Sequence, residues 1–150
     1  MKILVYGIGN TSRQDDGVGA ACAERLAEWC RQEGLTEVTI RTGLQVNVED
    51  AAAMAEAEMV LFLDASVANI DGVFLEPLTG ANGNSFSAHT LSPHTVLGIC
   101  RSLYGRDPEA YALHIRGVRF EVGDTITKEA EQNVATAVRT AKEILRKKIL

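Results

Sequence analysis

No apolar stretch in this sequence approaches the ~20 residues needed to cross a bilayer as a helix, so membrane insertion is not expected. The first residues enter the apolar run Lys2-Ile3-Leu4-Val5-Tyr6 at once, without the architecture of a secretory signal, and the expected location is cytoplasmic. Cysteine is scarce: Cys22, Cys30 and Cys100 form no CxxC pair and are odd in number. On one helix Cys22 and Cys30 would stand two turns apart, about 12 Å, too far to bridge, which suits a reduced compartment. Positive charge is lacking too. The formal net charge is -5, and no basic stripe precedes the terminal Arg146-Lys147-Lys148, a cluster that suits the last turn of a helix. Nucleic acid is therefore not an expected partner. There is no HExxH motif, linker, repeat or low-complexity tract. With 150 residues, 46% of them hydrophobic, the chain is expected to form a single domain over residues 1–150 with a real core.

The most informative feature present is the turn from Gly7 to Asp16, closed by Gly17 and Gly19. It follows a strand-like run and precedes helical periodicity, the layout of a dinucleotide-binding fingerprint. The match fails in detail. The third glycine should fall at position 12, which is Ser12, and Asp15 and Asp16 stand where a pyrophosphate needs positive potential or bare amides. Arg41 also occupies the region where a ribose-binding carboxylate would be expected, which counts against a nucleotide-binding protein of Rossmann type. The loop is suited to present carboxylates to a cation or a proton.

Further along, Val18, Cys22, Leu26 and Trp29 share one face of a predicted helix, with Gly34 as its C-cap. Val38 to Thr42 alternates as a strand nearer the sheet edge, and Val48 to Ala57 predicts a short helix. Met59-Val60-Leu61-Phe62-Leu63 has the continuous apolar character of a central strand buried on both faces, ending at Asp64. Val73 to Glu76 predicts another strand, stopped by Pro77, followed by a polar loop from Leu78 to Ala88 that is expected to be mobile without substrate. Ser92-Pro93 opens a helix running to about Leu103 and Gly105. Ala110 to Ile115 forms a strand, and Thr127 caps a final helix with Ala130, Val134, Val138, Ala141 and Leu145 on its apolar face. The alternation predicts an α/β fold: a three-layer αβα sandwich around a twisted, mainly parallel sheet.

In such sheets ligands gather beyond the carboxyl ends of the strands. Asp15 and Asp16 follow strand one, Asp64 ends the central strand, and His89 and His94 lie in or just after the polar loop. If strands one and three are neighbours, two carboxylates and an imidazole can converge there, a set suited to a borderline cation such as nickel or zinc. Plainer roles compete for each residue. Asp64 can anchor a loop, either Asp15 or Asp16 can cap the following helix, His94 can be solvated on its helix, and His114 can be structural within its strand.

The segments GIGNTSRQDDGVG (residues 7–19), DAS (64–66), HTLSPHTVL (89–97) and LYGRDPEAYALHIRGVRFEVGDTIT (103–127) resemble, in order and over nearly the whole chain, the hydrogenase maturation endopeptidases. That resemblance implies an enzyme that removes the C-terminal extension from the precursor of a nickel-iron hydrogenase large subunit after nickel insertion. The partner it implies is that precursor, and the metal is nickel carried by the precursor, with no organic cofactor. The family's metal-binding trio falls on Asp16, Asp64 and His89. Some relatives carry Glu at the first position, so Asp16 is shorter by one methylene, and His94 lies in the same matched segment as His89.

Two mechanisms follow from the resemblance. Nickel bound by the trio can polarise the scissile carbonyl or a water, or nickel can position the tail while Asp16 or Asp64 acts as general base. No serine or cysteine nucleophile is evident, and metal-assisted hydrolysis without a covalent intermediate is the favoured reading. Its rival is a non-catalytic chaperone of the same fold that grips the nickel-loaded precursor without cutting it.

Overall fold

The computed structural model describes residues 1–80 and 92–149. Its strands are β1 (Ile3–Ile8), β2 (Val38–Gly43), β3 (Met59–Ser66), β4 (Val73–Leu78) and β5 (Glu109–Arg116). The helices are α1 (Val18–Glu33), α2 (Asp50–Glu56), α3 (Pro93–Tyr104) and α4 (Lys128–Ile149), with a 3-10 turn at Gln14–Gly17 ahead of α1. The strand order is β2-β1-β3-β5-β4. β1 pairs in parallel with both β2 and β3, and β3 with β5, while β4 runs antiparallel to β5 at the edge.

The strand period of two divides the sheet into two cores. Ile3, Val5, Met59, Leu61, Leu63, Leu113 and Ile115 face α1 and α4, which contribute Leu26, Val134 and Leu145. Leu4, Tyr6, Val60, Phe62 and Ala112 face α2 and α3, which contribute Met54, Val96, Leu97 and Cys100. Each fully buried Leu or Val contributes about 1.5–3 kcal/mol, and β3 buries side chains on both faces, so it anchors both layers. The sheet with helices on either side is the αβα architecture expected from the sequence. The predicted faces of α1 and α4 are also the buried ones.

Two details differ from expectation. Pro77 does not stop β4, which continues to Leu78. On an edge strand a missing N–H is tolerated, and Pro77 itself is exposed. The antiparallel course of β4 also sends the chain away from the rim. Phe74 pairs with His114, level with Asp64, whereas Leu78 pairs with Ala110, level with Val60. The chain after Leu78 therefore leaves the sheet at the end opposite Asp64, and the rest of the polar loop expected to be mobile, residues 81–88, lies outside the described residues.

Candidate functional site

The glycines of the first loop are there for close backbone approach. A Cβ at Gly19 would collide with the carbonyl oxygens of Leu63 and Ile8, so the start of α1 sits directly against the carboxyl ends of β1 and β3. Gly9, at φ 140°, adopts a conformation that L side chains rarely take, and a Cβ there would strike the Asp16 carbonyl. Gln14 is a non-glycine residue at φ 47°, held there as its N–H donates to the Gly123 carbonyl at 2.8 Å. The loop thus returns the chain to the end of the central strand.

The neighbours Asp15 and Asp16 have opposite surroundings. Asp15 is 0% exposed, the only buried charged side chain among the described residues. Its Oδ2 accepts the N–H of Val118 at 2.8 Å and of Arg119 at 3.0 Å, together with the Thr127 hydroxyl at 2.8 Å. Its Oδ1 accepts the Thr127 N–H at 2.8 Å. Burial alone would push this carboxyl up, but the three amides and the hydroxyl outweigh it and hold the group below the usual carboxylate range. Asp15 is therefore a structural carboxylate, though it does not cap the following helix. It fastens the segment between β5 and α4, while α1 begins without a side-chain cap. Asp16 is only half-buried, and its Oδ2 accepts the Asn10 N–H at 2.7 Å.

β1 and β3 are neighbours, so the first loop and the end of β3 share one rim. The Asp64 carboxyl is pushed up to about 6, chiefly by burial and further by the nearby Asp16 charge, against a backbone hydrogen bond at Ala65 and the His114 imidazole. Asp16 and Asp64 are thus brought within electrostatic reach of each other. His89 lies outside the described residues, and among those residues no group of three or more His, Cys, Asp or Glu side chains could hold a metal ion.

His94 is occupied elsewhere. Its Nδ1–H donates to the Thr79 carbonyl at 2.8 Å, since a carbonyl can only accept, and this ties the start of α3 to the residue after β4. His114 Nε2 donates to Glu76 Oε1 at 3.0 Å, and its ring lies over Phe74 with centroids 6.1 Å apart. Asp64, His114 and Phe74 are cross-strand neighbours, so a carboxylate and an imidazole adjoin on one face of the sheet. Sequence reasoning placed His114 in its strand but missed this neighbour and the Glu76 contact. Alternation could have put His114 and Asp64 on one face, but only the pairing register aligns them.

None of the three cysteines is placed to act as a nucleophile. All are buried and unpaired, and burial raises each thiol, Cys22 to about 12, so the reactive thiolate is suppressed.

No protein-family model and no curated protein matches the chain in sequence. Solved structures do match in shape. The nickel-iron hydrogenase maturation protease HycI of Thermococcus kodakarensis aligns with a TM-score of 0.76 at 20% identity, over 97% of this chain and 92% of that one. The hydrogenase maturating endopeptidase HybD of E. coli aligns with a TM-score of 0.72 at 22% identity, over 99% and 94% of the two chains. HybD of T. kodakarensis, also a nickel-iron hydrogenase maturation protease, gives 0.67 at 21% identity, over 96% and 99%. The chain shares its fold, nearly end to end, with these proteins.

Proposed function

We propose that this chain is an endopeptidase that removes the C-terminal extension of a nickel-loaded nickel-iron hydrogenase large-subunit precursor, working as a single domain in the cytoplasm. The observation that carries the reading is that Asp16 and Asp64 lie within electrostatic reach of each other at the rim of a fold shared with maturation proteases. The absence of a membrane-crossing helix among the described residues and the three unpaired cysteines are compatible with that location.

Nickel belongs to the substrate in this reading. Asp16, Asp64 and His89 recognise it, and the scissile carbonyl is polarised as the tail enters the rim. In the alternative, nickel only positions the tail and Asp64 acts as the general base. Burial lifts it to about 6, close to neutral pH, so it can take a proton from water without being held protonated. Water then adds to the carbonyl, and its proton leaves with the departing amine. The buried thiols argue against a covalent route.

The test is the mass shift of a nickel-loaded precursor, with a nickel-free one in parallel. Ala at Asp16, Asp64 or His89 is expected to abolish processing while circular dichroism shows an intact fold. Normal cleavage by folded Asp64→Ala would sink the mechanism, equal cleavage of the nickel-free precursor would remove the nickel requirement, and binding without cleavage by the unmodified protein would mean a chaperone.

A further inference from the structure

We propose that Asp15 is a positioning residue: by clasping the segment between β5 and α4 it fixes the direction in which Asp16 presents its carboxylate. The inference rests on the proteolytic reading for its kinetic consequence but not for its geometry. Asp15 and Asp16 are consecutive in one short 3-10 turn. Side chains one residue apart there diverge by about 120°, so rotating the turn swings both together. Asp15 points into the protein and Asp16 toward Asn10.

One carboxylate gathers donors from both ends of the same segment: Val118 and Arg119 just after β5, and Thr127 just before α4. The backbone joins in, as the Asp15 N–H donates to the Arg119 carbonyl at 2.9 Å and Gln14 to Gly123 at 2.8 Å. Asp16 has far less of its own to hold it. Its N–H bonds Arg13 within the same loop at 3.1 Å, and its carboxylate accepts from Asn10. Both partners belong to the same loop, which backbone bonds also tie down, Gly9 N–H to the Gly43 carbonyl at 3.0 Å and Gly123 N–H to the Ser12 carbonyl at 2.9 Å; the clasp made by Asp15 is the side-chain anchor next to Asp16. A charge buried merely for stability could be replaced by an apolar side chain, but here three amides and a hydroxyl would lose their acceptor.

The experiment compares unmodified protein, Asp15→Asn and Thr127→Val. Thr127→Val removes one of the four donors, together with the hydroxyl that accepts the Ala130 N–H at 3.2 Å at the start of α4, and is the milder change should Asp15→Asn fail to fold. The first readout is amide exchange at Asn10, whose N–H reports the Asp16 contact, against Val60 to Leu63 in β3. Asp15→Asn is expected to speed Asn10 exchange by about tenfold or more beyond any change in the β3 rates, which report the loss of global stability, and Thr127→Val by a smaller factor in the same direction. The second readout is cleavage of nickel-loaded precursor. There kcat is expected to fall by up to about 10²-fold, with KM within about twofold, as for a misplaced catalytic group. Asn10 protection unchanged in the folded variants overturns the positioning role. A loss confined to KM overturns it too, since it would mean that the segment only binds substrate. If the unmodified protein fails to cleave, the proteolytic reading falls, and the Asn10 exchange still decides the positioning role.

Discussion

The clasp around Asp15 and the end of β3 around Asp64 each withdraw a carboxylate from water, with opposite results. At Asp15 four donors meet the charge and hold the group below its usual range. At Asp64, burial with the neighbouring Asp16 charge outweighs the backbone hydrogen bond at Ala65 and the His114 imidazole, and the group is pushed up to about 6. The first arrangement supports the fold. The second works against it, and such tension is commonly found where chemistry takes place.

Isosteric removal of each charge sharpens this contrast. Asp64→Asn is expected to have the largest effect on activity, with loss of precursor cleavage by mass analysis. The same substitution is expected to stabilise the fold near neutral pH by on the order of 1–2 kcal/mol, allowing for the partial exposure of the group. The sign follows from proton binding. An ordinary aspartate near 3.9 loses its proton in the unfolded chain before Asp64 does in the folded one, so the penalty grows as pH rises from about 4 to about 6. Denaturant melts should thus show the variant gaining on the unmodified protein through that window and matching it below about pH 4. An equal advantage at every pH would mean that the gain does not come from the charge.

Asp15→Asn is expected to move stability the other way, by about 2–4 kcal/mol, because an amide cannot accept from all four donors. The stabilisation from Asp15 is present above the ordinary carboxylate value and lost as pH falls through its lowered one. The variant should therefore converge on the unmodified protein in acid. Stability indistinguishable from the unmodified protein at pH 7 would erase the difference between the two carboxylates. The smallest effect is expected for His94→Ala, which loses one hydrogen bond to the Thr79 carbonyl: about 1 kcal/mol or less in a melt, with near-normal processing.

Much of the fold was legible because its signals are local. The unbroken apolar run Met59 to Leu63 does form the middle of the sheet, and Val38 to Thr42, less apolar, lies at an edge. Asp64 could be placed at a strand's carboxyl end by its position after that run. The course of β4 was less accessible, although a hint existed: no helix separates it from β3, and a parallel neighbour would need such a crossover. The division of labour between Asp15 and Asp16 could not be read at all. Both follow the same loop, and the partners that set Asp15 apart are 103 to 112 residues away in sequence.

That separation has a consequence for the order of events as the chain is made. When the first hundred residues have left the ribosome, the glycine loop, α1 and β3 all exist, yet none of the groups that grip Asp15 has been synthesised. Contacts between distant parts of a chain close late. A growing chain therefore carries both rim aspartates long before Asp16 can be aimed, and the rim is completed only when the start of α4 arrives.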